Sequence, residues 1–302
     1  MEYPFLQESY GLLALDPVHI GTGGYRLGRV DNTIVREPGT SLPKIPGTSL
    51  SGVLRAFMAM RTGKYPDCAG QGKRHCGSYD CPVCMSFGYA REKNSFQGLV
   101  QLSDACLLFA PVYSTAGPVW VTSPGAMENA GFDLGDIEIA DDKVKVVSEL
   151  SKDVLRKISL GWLLLEVTGN FTLPNEIKRY IPSKMASRVV LVSDWLFSHI
   201  VNDNLEVRTS VSIDPNTGAA QDKGLFTYEA IPRTALLHFK MTIMNPQLFE
   251  VPPNNKKPAF SKEKLKEAIL EAAEYLEWLG IGGMITRGMG RMRLINPERG
   301  EG

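Results

Sequence analysis

The sequence lacks any uninterrupted apolar run of the roughly 18 residues that a membrane-spanning helix needs, which excludes such a helix. Its first residues, MEYPFLQESYGLLALDPVHIG, lack a basic start followed by an apolar block. No secretory leader is therefore expected, no membrane partner either, and the cytoplasm is the expected compartment. There is no internal repeat. Net charge is also missing, since 33 Lys and Arg balance 33 Asp and Glu. A dinucleotide fingerprint is absent too: no helix opens directly behind Gly21-Thr22-Gly23-Gly24 to hold a pyrophosphate. That disfavours a nucleotide-dependent metabolic enzyme. What remains is ordinary globular composition, 43% hydrophobic and 22% charged, in 302 residues. This excludes a disordered chain and suffices for one large elaborated domain or two small ones, with a real core.

The charge is unevenly placed. Between Pro17 and His75 nine basic residues (Arg26, Arg29, Arg36, Lys44, Arg55, Arg61, Lys64, Lys73, Arg74) face three acids. Between Glu128 and Asp153 eight acids face three lysines, and from Trp278 to Arg299 four arginines face one acid. A neutral total can thus hide a basic face made from both ends of the chain, and a polyanion is its natural partner.

Cysteine is scarce but clustered. Four of five lie in CAGQGKRHCGSYDCPVC: Cys68, Cys76, Cys81 and Cys84, with His75 among them. In a chain without an export signal such clustering points to metal rather than disulfides. The two-residue gap of Cys81-Pro82-Val83-Cys84 lets both thiolates face one ion, and two upstream ligands close a tetrahedral structural zinc site. The spacing leaves open whether Cys68 or His75 is the fourth ligand. Cys68 is favoured, because adjacent His75 and Cys76 would need a sharp bend to share one ion. Cys106, in an apolar run, reads as a buried small hydrophobe.

Residues 5–20 read as a strand. The segment from Gly21 to Ser49 is dense in Gly, Pro, Ser and Thr and reads as a long functional loop. Thr48 or Ser49 is placed to cap a helix with Leu50, Leu54, Phe57 and Met58 on one face. Strands are expected at 98–113, 118–122, 161–171 and 235–244, and helices at 185–201 and 261–279. The acidic stretch 123–160 reads as a surface insertion, 64–90 as a metal-stapled one, and 205–231 as a projecting β-hairpin with a polar tip. This order suits an α+β fold around an antiparallel sheet, with residues 1–302 as one domain. The closing loop (Gly280, Gly282, Gly283, Gly288, Gly290), with Arg287, Arg291 and Arg293, suits close approach to a phosphate backbone. Asp31-Asn32, taken by itself, reads as a turn. His199 and His238 sit in apolar runs and read as structural.

Five segments, spread over most of the chain, together resemble the RAMP superfamily of CRISPR effector proteins. They are His19-Ile20-Gly21 with Gly23; Val30-Asp31-Asn32 followed by Ile34-Val35-Arg36; Ile45-Pro46-Gly47-Thr48-Ser49-Leu50 with Gly52 and Leu54-Arg55; Leu102-Ser103-Asp104-Ala105 with Val121-Thr122; and the terminal glycine loop. The Ser-Asp-Ala strand running into WVTSP is similar to the type III-B (Cmr) backbone subunits. Cys81-Pro82-Val83-Cys84 followed by Phe87-Gly88 is similar to the Csm version.

The resemblance implies a ferredoxin-like (RNA-recognition-motif-like) palm with insertions and a hairpin thumb, the latter at 205–231. It implies a CRISPR guide RNA, a complementary target RNA, other copies of this chain in a helical filament, and further subunits of the complex as partners. It implies a metal-dependent endoribonuclease, active in the assembled complex, that cuts target RNA at six-nucleotide intervals through attack of the target 2′-hydroxyl. Asp31 matches the catalytic position, with Mg²⁺ or Mn²⁺ as the divalent ion and weaker candidates in His19 and Glu229. The family often has Lys where this chain has Ser51. Expected RNA contacts are therefore Arg36, Lys44, Thr48, Ser49, Arg55, Arg208, Gly283, Arg287 and Gly288, with Ile213 and Phe226 as wedges. The alternatives are a non-catalytic RNA scaffold of the same complex and a repeat-RNA-processing endoribonuclease.

Overall fold

The computed structural model describes residues 3–23, 30–70, 74–92, 94–154 and 156–296, with the side chains of 222 and 223 left aside. Arg26, Arg29, Lys73 and Arg299 of the basic stretches, and part of the expected 21–49 loop, lie outside the described residues.

In chain order the first elements are β1 (Phe5–Ala14), β2 (Lys44–Ile45), α1 (Gly47–Arg61), α2 (Pro82–Phe87), β3 (Tyr89–Ala90), β4 (Ser95–Phe96), β5 (Val100–Leu102) and β6 (Ala105–Val112). Then come β7 (Val119–Thr122), α3 (Pro124–Asn129), β8 (Lys143–Val147), β9 (Lys157–Leu160), β10 (Leu163–Phe171), α4 (Ser183–Ala186), β11 (Val189–Leu191) and α5 (Asp194–Asp203). The last are β12 (Glu206–Ile213), β13 (Ala220–Ala230), β14 (Leu236–Met244), α6 (Lys262–Ala273), α7 (Leu276–Leu279) and β15 (Met292–Ile295). The fold is mixed α+β around one large mixed sheet ordered β15-β1-β14-β6-β7-β11-β8-β10-β9.

The first four strands of that order pair antiparallel, with Leu12 facing both Leu237 and Leu294. α1 and α6 pack together beside them. The apolar stripe of α1 holds as expected: Leu50, Leu54, Phe57 and Met58 are all buried. Thr48 and Ser49 do not cap it. The helix begins at Gly47 with Pro46 as its N-cap residue, and the Asp104 carboxylate takes the Gly47 N–H at 2.8 Å instead. Pro46 cannot serve as a side-chain cap, so an acceptor from the β5–β6 bend supplies what the first turn lacks.

Two expectations are corrected in the second half of the sheet. The 123–160 stretch is not a surface insertion: β8 and β9 are strands of the main sheet, and Val144 and Val146 are fully buried. Six of the acids precede β8 and two, Glu149 and Asp153, lie between β8 and β9, all at exposed positions, so charge counting hid a strand whose alternate residues are valine. Nor is 185–201 one helix. Val189–Leu191 forms β11, parallel to β7 and buried on both faces, and only then does Ser193 cap α5 through the Leu196 N–H. A short β-branched run buried on both sides has no period that separates strand from helix. β12 and β13 form a separate two-stranded hairpin, Glu206 opposite Ala230 and Arg208 opposite Tyr228, as expected for 205–231. Among the described residues no helix is long and apolar enough to cross a membrane.

Candidate active site

Three segments far apart in sequence meet at the root of the hairpin. The stretch after β1 pairs with the hairpin's exit: Val18 with Ile231, and Asn32 with Tyr228. The terminal glycine loop then closes over it through a bridge between His19 and Gly283. Gly282 has φ of +90°, and a Cβ there would sit 2.4 Å from the His19 carbonyl oxygen. Gly290 is likewise pressed on the Ile281 carbonyl. These glycines are dictated by chain against chain, rather than by the phosphate contact that the sequence suggested. The Gly283 N–H donates to the His19 carbonyl and the Gly288 N–H to that of Ile285, so neither donor is free for a ligand.

Asp31 lies at this junction, exposed, and faces Thr227 of β13. Its Oδ2 accepts from the Thr227 amide at 2.7 Å and from the Thr227 hydroxyl at 2.9 Å. Its own N–H donates to the same hydroxyl at 3.0 Å. These bonds, the Thr227 amide first, hold its carboxyl below the usual carboxylate range. Two residues along the same strand face, Glu229 is buried. It accepts the Ile34 N–H at 2.8 Å and a two-pronged bond from Arg36 at 2.6 and 2.8 Å. The Arg36 Nε continues to Asn202 of α5. Glu229 is therefore a clamp that holds the 30–36 segment to the hairpin, and Arg36 is engaged inside the protein rather than offered to RNA. His19 is buried and anchored by Nδ1 on the Glu229 carbonyl at 2.7 Å, its ring edge-on to Tyr228.

The other expected contacts separate into engaged and open. Lys44 is paired with Asp104, which raises the lysine pKa and also braces α1. Arg208 pairs with Glu206 on its own strand. Arg287 is exposed and makes no ion pair among the described residues; its guanidinium lies 5.6 Å over the Phe226 ring. Phe226 thus packs at the hairpin root with Tyr228, Met284 and Met289 instead of standing free as a wedge. Ile213 is 53% exposed and Leu225 66%, so the apolar groups free to insert lie nearer the hairpin tip. Thr48 is exposed and Ser49 half-buried in the first turn of α1.

The cysteine cluster is a second centre. The sulfurs of Cys68, Cys76, Cys81 and Cys84 all lie within 4.8 Å of one another. Cys84 is 3.7 Å from Cys76 and 3.8 Å from Cys68, close to the ~3.8 Å edge of a tetrahedron with Zn–S near 2.3 Å. Four sulfur donors in this arrangement fit a metal ion. His75 is not part of it, because its ring nitrogens face Arg55 at 3.0 and 3.3 Å. Arg55, expected on RNA, is corrected as well. Its guanidinium binds the carbonyls of Cys68 and Gly88 and lies half-buried beside the thiols, where its positive charge offsets thiolate charge. Cys106 is half-buried with its thiol on Glu37, and burial pushes it up to about 12.

The RAMP superfamily profile matches residues 12–293. The chain belongs to the RAMP superfamily. It is 28% identical over 309 residues to the CRISPR system Cmr endoribonuclease Cmr4 of Pyrococcus furiosus, covering 95% of each chain. It is 33% identical over 89 residues to the CRISPR system Cms endoribonuclease Csm3 of Methanothermobacter thermautotrophicus, covering 29% of this chain and 34% of that one. Its fold is shared with a chain of the type III-B Cmr-beta complex bound to cognate target RNA, at TM-score 0.69 and 16% identity, covering 97% of this chain and 98% of that one. A crystal structure of Cmr4 matches at TM-score 0.60 and 22% identity, covering 96% and 98%. The whole-chain relative is thus of the Cmr type, while the Csm likeness is confined to under a third of the sequence.

Proposed function

We propose that this RAMP-superfamily chain is a guide-RNA-binding backbone subunit of a type III-B CRISPR effector complex, and that in the assembled complex it cleaves target RNA beside Asp31. The observation that carries this reading is the seating of Asp31 on Thr227 at the hairpin root, in a chain that spans 95% of a Cmr endoribonuclease. The spatial order β15-β1-β14-β6, with α1 and α6 as its crossing helices, supports a ferredoxin-like palm. The hairpin β12–β13, with Ile213 and Leu225 exposed, supports a thumb that pries a nucleotide from the guide–target duplex. Such displacement at each copy would set the six-nucleotide cutting interval. Thr48, Ser49 and Arg287 are the groups left open to meet RNA phosphates, and residues 64–90 form the zinc-stapled segment held by the four cysteines.

In the reaction the target 2′-hydroxyl oxygen forms a bond to the adjacent phosphorus and gives its proton to solvent water. The P–O5′ bond breaks and the leaving O5′ takes a proton from solvent water, leaving a 2′,3′-cyclic phosphate and a 5′-hydroxyl. A displaced nucleotide brings the 2′-oxygen into line with the leaving oxygen, and most of the rate comes from that alignment. Asp31 would help hold Mg²⁺ or Mn²⁺, which would supply charge neutralisation at the phosphate. Asp31 itself is held ionised and fixed, which is what such a role asks of it.

The test is the complex assembled with guide RNA, matched target and Mg²⁺. Wild type should give products spaced by six nucleotides, and Asp31→Ala should abolish cleavage with guide binding intact. Full activity in the variant overturns the assignment. A wild-type complex that binds guide and target but never cuts favours the scaffold reading, and trimming of repeat RNA by the isolated chain favours the processing enzyme.

A further inference from the structure

We propose that Thr227 is a positioning residue for Asp31, fixing which carboxylate oxygen faces the RNA and tying that orientation to the root of the hairpin. The inference rests on Asp31 acting in cleavage as proposed above. The two residues exchange three hydrogen bonds, and the Asn32 N–H adds a fourth to the Thr227 carbonyl at 3.0 Å. The hydroxyl acts in both directions: its one proton goes to Oδ2, and its oxygen accepts the Asp31 N–H. With both donors on Oδ2, the carboxylate is locked against rotation. Oδ1 has no hydrogen-bond partner among the described residues and is the oxygen left for a ligand.

Threonine suits the task for two reasons. Its β-branched side chain is stiff at χ1, and on a strand that stiffness keeps the hydroxyl aimed across at Asp31. Its backbone belongs to β13, so the carboxylate is oriented only while the 31–32 segment stays zipped to the hairpin. Charged groups on the surrounding elements are engaged elsewhere: Arg36 with Glu229, Arg208 with Glu206, Arg287 over Phe226, and His19 on the Glu229 carbonyl. Thr227 is thus the neighbour that sets both the orientation and the charge of Asp31. A carboxylate kept ionised by two donors is a weak proton acceptor, so the arrangement favours a fixed anion over a general base.

The experiment compares assembled complexes carrying Thr227→Val, Thr227→Ser and Asp31→Ala. It measures single-turnover cleavage across pH, affinity for guide and target, and amide exchange at residues 31–32. Thr227→Val keeps shape and backbone but loses the hydroxyl. It should cut about threefold to tenfold more slowly, with the acid limb of its pH profile moved to higher pH, faster exchange at 31–32 and unchanged RNA affinity. Thr227→Ser should restore rate and profile. A Thr227→Val complex that matches wild type in rate and acid limb, while Asp31→Ala is inactive, overturns the inference and leaves the function standing. Cleavage and RNA affinity falling together without rescue by serine assigns Thr227 to structure alone and also overturns it. Activity in Asp31→Ala overturns the underlying reading instead.

Discussion

Replacing Glu229 by alanine tests whether the clamp beneath the site is structural. The substitution removes the acceptor of the Ile34 N–H and both partners of the Arg36 fork at once. The Glu229 side chain is 9% exposed and that of Arg36 26%. Breaking one partner of a fully buried ion pair costs about 3–5 kcal/mol, and the partial exposure of Arg36 lowers this to ~3 kcal/mol. With an unfolding entropy of about 2.1 cal/mol/K per residue, a chain of 302 residues should lose ~5 °C in Tm. Urea and thermal unfolding of the isolated subunit measure this directly. Arg36→Met and Glu229→Leu should each cost a similar amount alone, and the double variant Arg36→Met/Glu229→Leu should recover much of the loss, because no unpaired charge is then left inside. Amide exchange at residues 30–36 should rise in the single variants. A Glu229→Ala protein within ~0.5 kcal/mol of wild type, or strictly additive losses across the cycle, would refute the clamp and return Glu229 to the list of candidate catalysts.

The remaining predictions concern the metal and pH. Purified protein should hold one zinc per chain by elemental analysis, and Cys84→Ser or strong chelation should remove it and lower Tm; metal-free protein of unchanged stability would contradict a structural role. Burial, with Lys240 adding to it, pushes His238 down to about 4 from the ordinary 6.5. Because the fold favours the neutral ring, this stability is present above about pH 6.5. It is lost as pH falls from there through about 4, by up to ~3 kcal/mol. His238→Leu should flatten that part of the stability curve, and an unaltered slope would refute the assignment.

Legibility in the sequence followed the range of the physics involved. Local signals were readable: the apolar stripe of α1, the alternation of β12 and β13, and the knuckle spacing of Cys81 and Cys84. Thr227 was missed although a signal existed. Alternation on β13 puts it on the same face as Glu229, two residues away, which the sequence had already placed near the site. The buried strands β8 and β11 were missed for opposite reasons. In β8 lysines and flanking acids masked the valines, and in β11 three apolar residues carried no period at all.

The basic stretches show where residue counting stops. Arg36, Lys44, Arg61, Arg291 and Arg293 pair with Glu229, Asp104, Glu271, Asp16 and Glu277. Those partners lie 16 to 275 positions away in sequence. A paired cation contributes much less to the counterion release that drives polyanion binding. At the hairpin root, Arg287 is the exposed cation of the basic stretches that makes no ion pair among the described residues. Multiple copies on one strand would add their weak contacts at high effective concentration, and a grip that is loose per copy becomes tight along a filament. On that logic the internal ion pairs do a different job from binding. Arg36–Glu229 holds the segment carrying Asp31 to the hairpin, and Arg291–Asp16 ties the end of the glycine loop to the end of β1, which is the fixed geometry that the proposed cleavage beside Asp31 would require.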